Sequence, residues 1–185
     1  MPATWVLLSS RVPREPTRLR LAIWRRLRRL GAILVHDAVW VLPADPKSRE
    51  AFEWLAEEIV EQGGTAWVWE AAGLSAVQDR EAAELFRREA DARYAAIGAS
   101  ALAVRDAALG GRRRGRRGRS TSSVPLAHAV RQLRGLDRAL RLERRRDYFR
   151  APGRLAAAEQ VSAAIAELEA RLEPGREGAE RALGD

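Results

Sequence analysis

Arginine is the residue type in this chain whose number and spacing indicate a chemical role, the binding of anions. Between Arg105 and Arg154 there are 16 arginines and four acidic residues, a local net charge of +12. Guanidinium groups bind phosphates and other oxyanions through charge and paired N–H donors. The segment therefore indicates a surface for a polyanion. The alternative is that the preference for arginine over lysine only reflects codon usage.

One row of arginines recurs at helical spacing after Pro125. The apolar residues of this predicted helix are spaced 3, 4, 3 and 4 apart, and the arginines repeat that spacing five residues later. At about 100° per residue, the second row lies about 140° from the first, on the exposed side. We call this row the arginine ridge and predict that it binds DNA phosphates. The apolar row is Leu126, Ala129, Leu133, Leu136 and Leu140, and the ridge is Arg131, Arg134, Arg138, Arg141 and Arg145.

An alternative interpretation of the arginine ridge is a salt-bridged helical hairpin. The last predicted helix carries Glu159, Glu167 and Glu169, which could pair with the ridge and neutralise part of it. Under that interpretation the arginines stabilise the helical hairpin and have no separate ligand.

The segment from Gly110 to Ser123 is predicted to be a loop. Its first ten residues are six arginines and four glycines, a composition that buries too little apolar surface to fold alone. Cationic loops bind polyanions without sequence preference by releasing counterions. The alternative is a solvated linker. The DNA-binding residues predicted here are Arg112, Arg113, Arg114, Arg116, Arg117 and Arg119.

A second basic cluster surrounds the first strand-to-helix turn, at Arg11, Arg14 and Arg18. Backbone N–H groups at a helix start, together with guanidinium groups, can hold a small oxyanion. We predict an oxyanion site here. The alternative is the ordinary solvated face of an amphipathic helix.

Catalysis and metal binding find little support in the residues. The chain has no cysteine and two histidines, which excludes disulfides, thiol nucleophiles and cysteine-based metal sites. Ser9 and Ser10 lack a nucleophile-elbow motif, and His36-Asp37 reads as a turn. We expect no enzymatic activity, no catalytic or metal-binding residues and no cofactor. No export signal or membrane-spanning stretch is recognised, so we expect a cytoplasmic protein with no membrane partner.

Residues 1–74 have the pattern of a small α+β domain. Strands are predicted at Thr4 to Ser10, in a hairpin from Ala32 to Pro43, and at Thr65 to Glu70. One helix is predicted to begin at Pro16 and Thr17 and to end before Gly31, and a second to run from Pro46 to Gln62. The order β-α-β-β-α-β predicts a ferredoxin-like domain with a four-stranded antiparallel sheet.

The rest of the chain is predicted to be helical. Helices are expected from Val77 to Leu109, from Pro125 to about Arg146, and from after Gly153 to about Leu172. Together they form a basic helical module over residues 75–172. Residues 173–185 are predicted to form a flexible tail.

All six tryptophans precede residue 70, and those at strand positions are interpreted as core and interface anchors. Trp67 and Trp69 share a strand face, so stacking on a base or a partner is the alternative for them.

Four stretches resemble the N-terminal region of the ChrB chromate resistance family. They are WVLL at residues 5–8, RLRLAIWRRLRRLGAILVHDAVWVLP at residues 18–43, GGTA at residues 63–66 and RRRDYFRAPG at residues 144–153. The resemblance implies a DNA-binding transcriptional regulator of a chromate resistance operon that responds to chromate. By this analogy the arginine-rich helices bind DNA and one arginine cluster meets the oxyanion. Longer family members continue into a second domain, which leaves open whether this chain senses chromate unaided.

The alternative function is a non-DNA-binding protein of the same resistance system, which handles the oxyanion or acts as an adaptor. A homodimer is expected for the regulator, because open sheet edges pair and operator-binding proteins are commonly symmetric dimers.

Overall fold

The computed structural model of the chain describes residues 4–15, 17–113 and 125–172. Its elements are β1 (Thr4–Arg11), α1 (Thr17–Leu30), β2 (Ile33–His36), β3 (Val39–Pro43), α2 (Pro46–Glu61), β4 (Thr65–Ala72), α3 (Ala76–Arg113), α4 (Leu126–Arg146) and α5 (Arg154–Glu169). The chain divides into two compact units, one of residues 1–87 with 146–149, the other of residues 88–145 with 150–185. No helix in the described part of the chain is both long and apolar enough to span a bilayer.

The first unit contains a mixed α/β arrangement with one four-stranded sheet in the order β2-β3-β1-β4. All three strand pairings are antiparallel, as predicted. β1 and β4 pair in regular register along eight residues, from Thr4 opposite Ala72 to Arg11 opposite Thr65. β2 has four residues and its register shifts between Leu34 and His36, so the two edges of the sheet differ.

One face of the sheet is covered by α1 and α2. Val6 and Leu8 of β1 share this face with Leu42 and Trp40 of β3, and all four are buried. The apolar rows of the two helices pack against them, at the three- and four-residue spacing of a helix face. These helix residues are Leu19, Ile23, Leu27, Phe52, Leu55 and Ile59.

Trp5 lies on the opposite face of the sheet. Its ring stacks on Phe86 of α3 at 5.8 Å and lies 6.0 Å from the ring of Phe149. The indole Nε1 donates a hydrogen bond of 2.8 Å to Asp79 Oδ1, which also accepts from the backbone N–H of Gly73 at 3.0 Å. The beginning of α3 therefore covers the part of this face around Trp5.

Asp45 caps the N-terminus of α2. Its side chain accepts hydrogen bonds from the backbone N–H groups of Lys47 (2.9 Å) and Ser48 (3.0 Å) and from the Ser48 hydroxyl (2.8 Å). Burial alone raises the pKa of Asp45, but these hydrogen bonds and the charge of Lys47 hold that pKa below its ordinary value of 3.8. The ionised carboxylate is thus the form that the cap stabilises.

The end of α1 is closed by residues far away in the sequence. Arg146 Nη1 donates to the Arg28 carbonyl at 2.8 Å, and the Tyr148 hydroxyl donates to the Leu30 carbonyl at 2.9 Å. These are carbonyls that a helix leaves without intrahelical partners. Gly31 follows with φ +79°, the left-handed conformation common after a helix. The segment RRRDYF therefore closes α1.

The second unit contains α3 from Arg88 onward, α4 up to Arg145, and α5. Small and branched apolar residues fill its core, including Ala101 of α3, Leu133 of α4 and Val161 and Leu168 of α5, all buried. α3 ends at Arg113, so Arg112 and Arg113 belong to a helix and not to the start of the predicted loop. Gly110 and Gly111 each cost a helix about 1 kcal/mol relative to alanine, whereas the arginines that follow have a high helix propensity. The division into residues 1–74, 75–172 and 173–185 stays a prediction.

Candidate nucleic-acid interface

α4 has its apolar row in the core of the second unit. Ala129, Leu133 and Leu140 are buried, while Leu126 and Leu136 are partly buried against the same core. The arginine ridge lies on the far side of the helix, and each of its five residues is exposed. The predicted angular separation of the two rows is therefore present in the folded chain.

A buried ion pair anchors α4 to α3. Glu143 of α4 has no exposed surface, and its Oε1 accepts a hydrogen bond of 2.7 Å from Arg93 Nε. Arg93 also pairs with Glu89 at 2.9 Å, one turn earlier in α3. A carboxylate buried this deeply needs such partners, because desolvation of a charge is expensive. Glu143 thus lies on the same side of α4 as the buried Leu140, three residues earlier.

The arginine ridge is partly neutralised by carboxylates. Arg134 Nη2 bonds Glu169 Oε1 of α5 at 2.8 Å, and Arg141 Nη2 pairs with Asp137 Oδ2 at 2.5 Å. Both arginine side chains are about two-thirds exposed, so solvent screens each ion pair and its interaction free energy is small. Glu167 pairs instead with Arg171 and Arg105. Among the described residues, Arg134–Glu169 is thus the pair between α4 and α5 that fits the salt-bridged helical hairpin.

Three members of the ridge have guanidinium groups without an acidic partner in the described part of the chain. Within the described residues, no carboxylate pairs with Arg131, Arg138 or Arg145. Arg144, which the spacing argument did not include, is exposed as well. The sequence feature that could have indicated its exposure is the RRR run after Glu143, because consecutive residues of a helix point in directions about 100° apart.

The other predicted DNA-binding residues are placed only in part. Arg112 and Arg113 lie in the last turn of α3. Arg114, Arg116, Arg117 and Arg119 lie outside the described residues. Their contribution stays a prediction.

The predicted oxyanion residues surround the connection between β1 and α1 in the first unit. Arg11 ends β1, Arg14 lies in the connection and Arg18 is the second residue of α1. All three side chains are exposed, and no carboxylate of the described residues pairs with them. The cluster is accessible to a soluble anion.

Two of the tryptophans interpreted as core residues are exposed. Trp5 and Trp40 are buried, but Trp67 and Trp69 of β4 are 66% and 55% exposed, so the core interpretation is wrong for them. Glu70, on the opposite face of β4, pairs with Arg49 of α2, which places the helix layer over that other face. Trp67 and Trp69 therefore lie on the sheet face opposite α1 and α2, on the outermost strand.

The residues considered above for catalysis lie on β1 and at the β2–β3 turn. Among the described residues, no group of three or more His, Asp or Glu side chains is arranged to hold a metal ion. His36 and Asp37 are exposed at the β2–β3 turn, and Ser9 and Ser10 are half-buried on β1.

Comparison with known proteins identifies a family. Residues 20–173 match the family described as "Protein ChrB, N-terminal". "Protein ChrB" of Cupriavidus metallidurans is 28% identical over 87 residues, which cover 47% of this chain and 27% of that protein. The match thus spans about a quarter of the relative's length. No solved structure matches the chain. Since the family match extends from α1 through α5, this chain belongs to the ChrB family.

Proposed function

We propose that this chain is a DNA-binding transcriptional regulator of a chromate resistance operon, with the arginine ridge of α4 as its phosphate-binding surface. The observation that carries the proposal is the ridge itself: five exposed arginines at helical spacing, with a buried row and a buried ion pair behind them. Membership of the ChrB family supports the resistance role. The role we propose requires no enzymatic activity and no cofactor.

The dimensions of the ridge suit a duplex. From Arg131 to Arg145 the helix rises about 21 Å, since each residue adds about 1.5 Å. That length matches about six base pairs, over which each DNA strand presents one phosphate every 3.4 Å or so. Arg131, Arg138 and Arg145 offer guanidinium groups without a carboxylate competitor among the described residues. We expect binding through the phosphate backbone, with sequence preference supplied by other contacts.

The test is a titration of a promoter duplex from the resistance operon at several salt concentrations. Replacing Arg131, Arg138 and Arg145 with Gln should weaken binding to promoter and unrelated duplexes alike and reduce the salt slope by about three. A matched control replaces the exposed residues Arg20, Arg80 and Arg88 with Gln, which removes the same charge elsewhere. Equal losses in both variants would remove the ridge from the proposal. No complex at low salt would remove DNA binding.

We further propose that Arg11, Arg14 and Arg18 bind chromate. Their exposure and the lack of competing carboxylates among the described residues support a site for a divalent anion. With no cysteine in the chain, recognition here depends on charge and hydrogen bonding and not on thiol chemistry. Calorimetry with chromate, with sulfate as the control anion and Arg18→Ala as the variant, tests this site. Heat no greater than with sulfate would favour the adaptor alternative.

The element order β-α-β-β-α-β and the strand order β2-β3-β1-β4 support a ferredoxin-like assignment for the first unit. A cytoplasmic location and a homodimer complete the proposal, because an operator must be reached inside the cell and is commonly bound by symmetric dimers. Fractionation of expressing cells tests the location.

A further inference from the structure

The two edges of the sheet are protected to different degrees. β2 is a four-residue strand with a register irregularity, and short or bulged edges are the devices by which proteins prevent edge pairing. β4 is eight residues long and follows a regular register with β1. It contains no proline or lysine, and its only charged residue, Glu70, pairs with Arg49. Within the part of the chain that the structure describes, no strand pairs with the outer edge of β4, so this edge can accept a further strand.

The outer strand also carries an exposed aromatic pair. The Trp67 and Trp69 rings stack at 6.2 Å with an interplanar angle of 26°. Taking about 250 Å² for a tryptophan side chain, their exposed fractions leave about 300 Å² accessible. A stable dimer buries about 800 Å² on each partner. The pair therefore supplies more than a third of that area, and the open edge of β4 adjoins it.

We propose that β4 is a self-association surface, on which two copies of this chain pair their β4 strands antiparallel about a two-fold axis at Val68. In this register Trp67 lies opposite the partner's Trp69 and Trp69 opposite the partner's Trp67, which gives a ladder of four indoles on one face. The strand is thus complementary to itself.

Charge favours a second copy as the occupant. The chain has a formal net charge of +8, but β4 has no basic residue. In the proposed register Glu70 lies opposite the partner's Ala66, and the two Glu70 residues are four positions apart, about 14 Å. No like charges face each other directly across the paired strands. This inference rests on the homodimer of the proposed function and states which surface forms it. Because dimerisation is measured without DNA, its failure is distinguishable from a failure of DNA binding.

Sedimentation equilibrium of the full chain tests the surface. We expect a dimer in the wild type and a loss of affinity of about thirtyfold or more for Trp67→Ser with Trp69→Ser, as for tryptophans at interface hot spots. Trp54→Ser is the matched control, because Trp54 is 67% exposed on α2 and lines a surface pocket with Arg26 and Arg29 of α1. A wild type that is monomeric up to about 1 mM, or an equal loss in the Trp54 variant, overturns the proposal.

Cross-linking tests the register independently of those variants. Because the chain has no cysteine, Val68→Cys introduces a single thiol. A residue on the two-fold axis lies within about 6 Å of its own copy, so a short bis-maleimide should couple two chains at Val68→Cys. Ala72→Cys, four positions away, should not couple, because its two copies are about 27 Å apart. Coupling of both variants, or only of Ala72→Cys, would overturn the proposed register.

Discussion

The Tyr148 hydroxyl donates a hydrogen bond of 2.9 Å to the carbonyl of Leu30, 118 residues earlier in the chain. Beside it, Arg146 bonds the Arg28 carbonyl, so two side chains from one short segment close the end of α1. Burial raises the pKa of Tyr148, which keeps its hydroxyl protonated and able to donate across the neutral range. The segment at residues 146–149 is therefore part of the first unit although α4 leads into it.

Tyr148→Phe should lower the free energy of unfolding by about 1 kcal/mol, since it leaves the Leu30 carbonyl without this donor. Urea unfolding followed by circular dichroism measures the change. Arg145→Ala is the control: this exposed neighbour should change stability by less than about 0.5 kcal/mol. A Tyr148→Phe variant as stable as the wild type would show that the hydrogen bond contributes nothing.

Gly31→Ala should be more destabilising than Gly63→Ala. Both glycines have φ near +80°, so both substitutions bear the strain of a left-handed alanine, about 1 kcal/mol. A Cβ at Gly31 would also lie 2.9 Å from Arg146 Cβ, whereas a Cβ at Gly63 meets nothing within 4 Å. The difference in unfolding free energy between the two variants isolates the contact with residue 146. Equal losses would mean that this contact relaxes without cost.

The Asp45 cap should give the first unit an acid-sensitive contribution to stability. A carboxyl whose pKa is lower in the folded chain stabilises the fold above its unfolded pKa, and this contribution is lost as the pH falls through the folded pKa. For Asp45 the folded pKa lies below 3.8. Asp45→Ala should cost about 1 kcal/mol at neutral pH and progressively less in strong acid. Thermal melts of both proteins between neutral and strongly acidic pH measure this, and a pH-independent difference would contradict it.

Removing Arg93 should destabilise the second unit more than removing the charge of Glu143. Arg93→Met leaves the fully buried Glu143 carboxylate without this guanidinium, a loss of about 3 kcal/mol or more. Glu143→Gln leaves Arg93 partly exposed and still paired with Glu89, so the expected loss is about 1–2 kcal/mol. Combining Arg93→Met with Glu143→Leu should recover most of the stability. Chemical unfolding of the three variants measures their free energies of unfolding. A double variant less stable than Arg93→Met would contradict the prediction.

Glu169→Gln and Asp137→Asn should each strengthen DNA binding if the arginine ridge contacts phosphates. These substitutions release Arg134 and Arg141 from exposed pairs worth up to about 1 kcal/mol, a gain of up to about fivefold in affinity for each. Anisotropy titrations at one fixed salt concentration measure the change. Glu159→Gln is the control of equal charge, since Glu159 is exposed on α5 and pairs with no ridge arginine among the described residues. Equal gains in all three variants would indicate net charge alone.

Local signals in the sequence determined the helices and strands of this protein. The apolar spacing of Leu19, Ile23 and Leu27, with Gly31 after them, predicted α1 and its end. The same kind of spacing in α4 predicted which side of the helix is exposed, because a helix turns about 100° per residue whatever surrounds it. Four antiparallel strands followed from short β-rich runs separated by turns.

Tertiary structure alone decided which residues meet across the chain. The order of strands puts β4 at an edge, and this turns Trp67 and Trp69 from presumed core residues into exposed ones. Arg134 is paired because α5 places Glu169 beside it, whereas Arg138 has no carboxylate partner among the described residues. The closure of α1 by Tyr148 spans 118 residues. Periodicity reports which face of an element is apolar, but partners far apart in sequence are chosen by packing, which no local pattern encodes.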